Sequence, residues 1–365
     1  MSCTLCRLPF TPHKTSVDPY PPPPGLLTDR QYRYFINGVA IGQYLPTVLL
    51  KVEWLDQGFF GGYTGAVMVL KWESDGGTVM VFHTVCASIL RRIFKCEDES
   101  NESIIKLCEI EFILGRPLQG LDGGRLPRVG YEDVGDEKLD LRPYYYLEEH
   151  GDLMRFDYEM FKNNGHSWAL NKPDAFPRFR NTVAPTRFPG PPLKETTDIL
   201  TKQPIDILHV LLPYLPNPSF VRLLSTCRTF RHAALTTFQA HARQRVLELG
   251  WAVPLSGEYA SASQSIREQD IMVDPDAPPF DGDWLFYLSS IHKSQSLRAR
   301  RRLWAIGEEI FHAVEEHRIA SGYDEAISTE DTPESRTRKQ LERHVGDPLA
   351  ATLRKLGSLK VGGRS

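Results

Sequence analysis

The sequence lacks the features that mark membrane-spanning and secreted proteins. Its most apolar stretch, YLPTVLLKVEWL, is interrupted by Lys51 and Glu53 and is far shorter than a bilayer span. The first residues, MSCTLCRLPF, do not show the charged-then-apolar order of a secretory signal. We therefore expect a soluble intracellular protein, in the cytoplasm or the nucleus, with no membrane partner.

An excess of basic charge is also missing, since 43 Lys and Arg residues are balanced by 46 Asp and Glu residues. A mildly acidic chain has no overall field that would attract nucleic acid, so nucleic acid is not the expected partner. The sequence contains no GxSxG, Walker, HExxH or dinucleotide-binding motif. These absences predict a protein that is not an enzyme.

Composition and hydrophobic periodicity predict an α+β protein of five segments. Residues 1–170 read as a β-rich, antiparallel N-terminal domain, and residues 171–197 as a proline-rich linker. Residues 198–245 are predicted to form a three-helix module, and residues 246–320 a further helical region. The polar residues 321–365 are predicted to be a flexible tail.

Within the N-terminal segment, short β-branched and aromatic runs at 31–82 predict an antiparallel sheet. Its clearest hairpin would turn at Asp75-Gly76-Gly77. The next stretch, HTVCASILRRIF, has apolar residues four apart and predicts a helix. The acidic, glycine-rich stretch at 97–140 is expected to form solvated loops, with a partner surface as the alternative.

Two short pairs of metal-ligand residues stand far apart in the sequence. Cys3 and Cys6 form a C-x2-C pair, and His83 and Cys86 form an H-x2-C pair that follows a predicted strand and opens a predicted helix. Thiolate and imidazole ligands at these spacings fit tetrahedral zinc. Arg7 stands where such metal knuckles often have glycine. The alternative is unrelated cysteines beside a helix-capping histidine.

After the linker, DILTKQPIDILHVLLPYLPNPSFVRLLSTCRTFRHAA predicts three helices, of which the second is short and the third begins near Thr229 and continues toward Leu249. Pro204 and Asp206 suit the first turn of the first helix. That helix is apolar around most of its circumference, at Ile207, Leu208, Leu211, Leu212 and Leu215. Two short partner helices cannot bury such a surface, so one side is expected to meet another protein. The alternative is a larger helical core in which all these leucines pack.

This segment resembles the F-box, through which substrate receptors attach to the S-phase kinase-associated adaptor of cullin-RING ubiquitin ligases. The resemblance lies in the order DxLxxxPxDIL, a broken LxxL and SFxxLxxTCRxFR; Gln203 replaces the leucine usual before the proline. It implies that the chain contacts the adaptor through Pro204, Ile207, Leu208, Leu211, Leu215, Phe220 and Cys227. The combination with C-x2-C and H-x2-C is similar to a group of fungal F-box proteins and favours zinc at Cys3, Cys6, His83 and Cys86.

Two functions follow as hypotheses. In the first, the chain is a non-catalytic receptor that docks on the adaptor and recruits an unknown protein for ubiquitination by partner subunits. In the second, it is a zinc-stabilised regulatory or nucleic-acid-binding protein whose helices are ordinary core. The second would use the basic run at Arg298 and Arg300 to Arg302, which we expect instead to form a solvated helix face.

Overall fold

The computed structural model of the chain describes residues 2–10, 22, 24–36, 38–43, 49–54, 78–96, 101–118, 120–147, 154–190, 199–263, 273, 275–276 and 282–321. These residues form a mostly helical α+β protein with small antiparallel sheets. The chain divides into two compact units, Met1–Lys172 with Arg301–Ser365, and Pro173–Arg300. The segment limits at 170, 197, 245 and 320 stay predictions.

The first unit contains both small sheets. The larger sheet has the antiparallel order β2-β1-β3, with strands β1 (Gly38–Gln43), β2 (Leu49–Trp54) and β3 (Thr78–His83), and Gly38 lies opposite both Trp54 and His83. The smaller sheet pairs β4 (Tyr145–Leu147) with β5 (Met154–Phe156). The unit's helices are α1 (Asp29–Ile36), α2 (Thr84–Ile93), α3 (Asn101–Leu114), α4 (Tyr158–Phe161) and residues 301–321 of α11 (Gln295–Ser321).

Helix α1 corrects the prediction of continuous sheet from residue 31. A reciprocal capping box begins it, because the Gln31 amide donates to the Thr28 hydroxyl (3.3 Å) and the Thr28 amide donates to the Gln31 side chain (3.0 Å). Tyr34, Phe35 and Ile36 are then buried on one side. The capping box outweighs the aromatic, strand-favouring composition of this stretch.

Helix α3 corrects the prediction of loops at 97–140 over Asn101–Leu114, whereas the described residues from 115 to 140 are mostly turns and irregular structure. Its apolar residues Leu107, Ile110 and Leu114 recur at helical spacing and are buried. The acidic Glu109 is also buried and lies 3.6 Å from the guanidinium group of Arg318. The glycine-rich hairpin turn predicted at 75–77 and residues 322–365 of the predicted tail lie outside the described residues.

Helix α2 forms where the sequence predicts it, and α11 packs closely on it. At Gly307 of α11, a Cβ atom would lie 2.4 Å from the Cδ1 atom of Ile93. The Phe94 and Phe311 rings meet edge to face at 5.3 Å. The small residue in the middle of a long helix therefore has a packing role. The β-rich character predicted for residues 1–170 is not confirmed, since the described residues there contain more helix than strand.

The second unit is helical in its described residues. It contains α5 (Ile205–Leu211), α6 (Asn217–Ser225), α7 (Arg228–Leu235), α8 (Gln239–Glu248), α9 (Ser256–Ser263), α10 (Trp284–Ile291) and residues 295–300 of α11. The third helix predicted from near Thr229 toward Leu249 is instead divided into α7 and α8, because the Thr236 and Thr237 hydroxyls donate to carbonyl oxygens of the last turn of α7 and the chain leaves the helix there. Part of the predicted linker packs onto these helices. The buried ring of Phe179 lies 4.7 Å from that of Trp284 and 5.7 Å from that of Tyr287.

The basic run of α11 is not the solvated face that the sequence predicts. Arg300 is fully buried and donates to the carbonyl oxygens of Trp251 and Pro173, each at 2.9 Å, and to the carboxylate of Glu258. Arg302 is also buried and donates to two carbonyl oxygens of the first unit. Buried guanidinium groups need such partners, and these arginines have them within the protein.

Among the described residues, none of the helices combines the length and the apolar character that crossing a bilayer requires.

Candidate metal centre and apolar stripe

The first two ligands of the predicted metal site lie in a tight N-terminal hairpin. The Cys3 amide donates to the Leu8 carbonyl oxygen (2.9 Å) and the Arg7 amide donates to the Cys3 carbonyl oxygen (2.8 Å). The Leu8 amide points at the Cys6 sulfur, 3.4 Å away. Residues 2–10 are all buried. The hairpin is therefore part of the core of the first unit.

The other two ligands come from the junction of β3 and α2, as the sequence predicts. His83 is the last residue of β3, and Cys86 lies in the first turn of α2. The Thr4 amide donates to the Val81 carbonyl oxygen at 2.7 Å, which joins the hairpin to β3. These contacts bring the four predicted ligands together.

We call Cys3, Cys6, His83 and Cys86 the cysteine–histidine cluster. One ligand atom from each residue lies within 4.8 Å of all the others, and all four residues are buried. The Nδ1 atom of His83 lies 3.2 Å from the Cys6 sulfur. In a tetrahedral site with metal–sulfur bonds of about 2.3 Å, neighbouring ligand atoms are about 3.5 to 3.8 Å apart. The cluster is thus compact enough to hold one metal ion.

Aromatic rings close the cluster off from water. The His83 ring is 4.2 Å from that of Phe10, 4.9 Å from that of Tyr34 and 5.3 Å from that of Phe35. Its Nε2 atom is buried without a hydrogen-bond partner among the described residues. Four protein ligands in a dry site fit a closed, structural metal centre better than a catalytic one, which keeps an open position for water.

The three thiols of the cluster differ in their pKa values. Burial, followed by the neighbouring Cys3, raises the pKa values of the Cys6 and Cys86 thiols. Burial acts in the same direction on Cys3, but hydrogen bonds with Cys6 and Cys86 and the charge of His83 bring its pKa well below the usual range. Cys6 and Cys86 are therefore held as neutral thiols, and they would ionise only beside a compensating positive charge such as a divalent metal ion.

Arg7 takes the backbone conformation that glycine provides in similar turns. Its φ angle is 62°, in the left-handed region. Its side chain is fully buried, donates to Glu132 Oε1 at 3.2 Å and to the Asp122 carbonyl oxygen at 2.9 Å, and lies over the Tyr131 ring. The anchoring of its side chain offsets the cost of the left-handed backbone.

Two tyrosines that sequence analysis missed hold the hairpin from outside. The Tyr131 hydroxyl donates to the Thr4 carbonyl oxygen at 2.8 Å. The Tyr145 hydroxyl donates to the Arg7 carbonyl oxygen and lies 3.0 Å from the Ser2 hydroxyl. Each contact joins residues more than 120 positions apart. No local sequence pattern signals such a pairing.

The residues that the F-box resemblance assigns to adaptor contact differ in exposure. Pro204, Ile207 and Leu211 are exposed, Leu215 and Cys227 are half-buried, and Leu208 and Phe220 are buried. Cys227 caps α7, with its sulfur 3.5 Å from the Phe230 amide. The three exposed residues are thus the ones that another protein can reach directly.

An exposed stripe of apolar side chains runs along α5 and the turn that follows it. Its members recur at i, i+3, i+4 and i+7, which places them on one side of a helix. Their exposed fractions are 46% for Ile207, 62% for Val210, 48% for Leu211 and 82% for Tyr214. We call these four residues the apolar stripe.

Arg245 of α8, which sequence analysis did not identify, holds the helices behind the stripe together. Its guanidinium group donates to Asn217 Oδ1 at 2.6 Å and to the carbonyl oxygens of Leu212 (2.6 Å) and Leu215 (2.7 Å). It also stacks over the Phe220 ring, 4.3 Å from its centroid. The carbonyl oxygens in the turn that follows α5 are satisfied in this way.

Comparisons with known proteins give no match: no family model, no curated protein and no solved structure is significantly similar to the chain.

Proposed function

We propose that this chain is an F-box substrate receptor of a cullin-RING ubiquitin ligase. It docks on the S-phase kinase-associated adaptor and recruits an as yet unknown protein, while partner subunits carry out the ubiquitination. The observation that carries the proposal is the apolar stripe, because it lies on the helix to which the F-box resemblance assigns adaptor contact.

The apolar stripe is exposed because α5 packs on the rest of the second unit through its opposite side. Leu208 and Leu212 face the interior, where α5 packs on α8 through the His209–His241 contact. The stripe residues point away from this contact and stay exposed. Covering an apolar side chain of this size contributes about 1.5 to 3 kcal/mol. An apolar surface on the adaptor would supply that burial.

Gln203, which departs from the F-box pattern, has a local role. Its side-chain amide donates to the Ile199 carbonyl oxygen at 3.1 Å, one turn earlier. It does not supply the apolar anchor that leucine would give. Docking therefore depends more heavily on Ile207 and Leu211.

Co-purification of the full chain with the adaptor tests the proposal. Leu211→Asp places a charge in the stripe at a site that is already 48% exposed, so the fold should tolerate it. We expect at least about a hundredfold loss of adaptor binding, because a charge would be desolvated against an apolar surface. Leu147→Asp, at an apolar residue of β4 that is 55% exposed, is the matched control and should bind normally.

Retention of adaptor binding by Leu211→Asp would overturn the docking proposal. Equal loss in both variants would do the same, because it would show that a charge on any apolar surface disturbs the protein. Circular dichroism of both variants checks that they are folded.

We further propose that the cysteine–histidine cluster binds zinc. Three thiolates and one imidazole form a donor set typical of structural zinc sites. The ion would hold the N-terminal hairpin against β3 and α2, which stabilises the first unit without taking part in a reaction. Elemental analysis of protein purified under reducing conditions should give about one equivalent of zinc, and less than about a tenth would end the proposal.

The alternative, a zinc-stabilised nucleic-acid-binding protein, loses its main support in the basic run. Arg300 and Arg302 are buried and donate to carbonyl oxygens and to Glu258. Phosphate contact requires exposed guanidinium groups. The apolar stripe, in contrast, supports the receptor function over the nucleic-acid-binding function.

A further inference from the structure

We propose that Arg180, Arg187 and Arg231 form a binding site for a phosphate group that carries two negative charges. The site lies in the second unit, and none of its three residues belongs to the set that the F-box resemblance assigns to adaptor contact. We call these three residues the arginine cluster.

A single aromatic ring positions two members of the cluster. The guanidinium carbon of Arg180 lies 4.5 Å from the Phe286 ring centroid, and that of Arg187 lies 5.1 Å from the same centroid. A guanidinium group that stacks parallel to an aromatic ring keeps its N–H groups free, because they donate in the guanidinium plane. Both guanidinium groups are thus held against the Phe286 ring.

A second ring contact joins the segment that carries Arg187 to the helix that carries Arg231. The Phe188 ring, which follows Arg187, lies 5.6 Å from the ring of His232, which follows Arg231. Like charges are crowded there: burial first, then the charges of Arg180 and Arg231, lower the pKa of the Arg187 guanidinium group. Three positive charges therefore lie where the segment at 180–188 meets helix α7.

The backbone below the cluster is fixed by Asp283. This fully buried residue caps α10, since its carboxylate accepts from the Phe286 amide at 3.0 Å. Its own amide donates to the Arg180 carbonyl oxygen at 2.8 Å, and its carboxylate pairs with the Arg187 side chain. Gly282 permits the close approach, because a Cβ atom there would lie 2.3 Å from the Phe179 ring. These contacts therefore hold the backbone at Arg180 and the side chain of Arg187 in place.

The balance of charge indicates a dianion as the ligand. Asp283 neutralises one of the three guanidinium groups. Arg180 and Arg231 are both exposed and have no carboxylate partner among the described residues. Two uncompensated cations match the charge of a phosphate monoester or hydrogen phosphate. The flat fork of N–H donors also fits the oxygens of phosphate better than a single ammonium group does.

Calorimetric titration of the full chain at constant ionic strength tests the proposal. The probes are inorganic phosphate, phosphoserine and acetate. The double variant Arg180→Gln/Arg231→Gln removes the two uncompensated charges but keeps Arg187, which neutralises the buried Asp283. Arg178→Gln, which removes an exposed arginine two residues from Arg180, is the matched control.

We expect saturable phosphate binding that weakens at least about tenfold in the double variant and is unchanged in Arg178→Gln. Tighter binding of phosphoserine than of phosphate would support the site and identify a phosphate ester as its ligand. Equal binding of the two would support it with the free phosphate group as sufficient ligand. The proposal is overturned if the unmodified chain does not bind phosphate, if acetate binds as tightly, or if Arg178→Gln is as weak as the double variant.

Discussion

The hydroxyl oxygen of Tyr34 lies 3.2 Å from the sulfur of Cys86, and both side chains are buried. A hydroxyl that donates to a metal-bound thiolate orients the ligand and spreads its charge. Tyr34 of α1 is thus the partner through which α1 supports the cysteine–histidine cluster.

Tyr34→Phe should weaken metal binding about ten- to a hundredfold while leaving all four ligands in place. Competition with a chromophoric chelator measures the affinity. Tyr32→Phe makes the same chemical change on the same helix at a half-buried residue, so its affinity should match that of the unmodified chain. Equal affinities in all three proteins would show that the hydroxyl does not act on the ligand.

Substitution of Arg7 separates the backbone effect from the side-chain effect. Arg7→Ala keeps the left-handed backbone and loses the contacts with Glu132 and Asp122, and we expect it to lower the free energy of unfolding by about 3 kcal/mol. Arg7→Gly loses the same contacts but relieves the backbone, so it should be about 1 kcal/mol more stable than Arg7→Ala. Urea denaturation measures both, and an alanine variant as stable as the glycine variant would contradict the account.

Arg245→Ala should destabilise the second unit by about 2 to 4 kcal/mol, because three acceptors lose a charged donor. Arg245→Lys should recover only part of this, since one ammonium group cannot reproduce the fork of contacts. Thermal denaturation followed by tryptophan fluorescence measures the change. Gln244→Ala, at the exposed neighbouring position of α8, is the control and should be nearly neutral.

The second unit should lose stability as the solution becomes acidic. Burial first, then the charges of His209 and Arg245, lower the pKa of His241 below its ordinary value near 6.5. The unfolded chain therefore takes up a proton at a higher pH than the folded chain does. The free energy of unfolding should fall as the pH decreases from about 7 to 5.

Urea denaturation across this pH range measures the effect. His241→Gln should flatten the dependence, because it removes the titrating group. His312→Gln, at an exposed histidine of α11, should leave it unchanged. A dependence that stays equally steep in His241→Gln would show that other groups are responsible.

Sequence spacing predicts the cysteine–histidine cluster because its members come in two local pairs. A C-x2-C turn and an H-x2-C helix start each fix two ligands on their own, and only the meeting of the pairs needs tertiary structure. Helix α1 was missed although its signal is local. Thr28 and Gln31 form a capping box, but the aromatic residues after them favoured a strand in the sequence analysis.

The arginines could not be interpreted from sequence in the same way. Arg245 and Arg300 look like solvated residues of polar helices, and their role appears only when distant carbonyl oxygens come within reach. The exposure of the apolar stripe could be predicted only in part. Periodicity indicates that α5 is too apolar to be buried completely, but not which side remains exposed.

The pairing of Arg7 with Glu132 has a consequence for how relatives of this chain would vary. A glycine at position 7 satisfies the turn without help, so the acid at position 132 would then be free to change. An arginine at position 7 needs that acid, because its buried charge would otherwise be uncompensated. Positions 7 and 132 should therefore covary, and a search pattern that demands glycine after the second cysteine would overlook chains that form this turn with an anchored arginine.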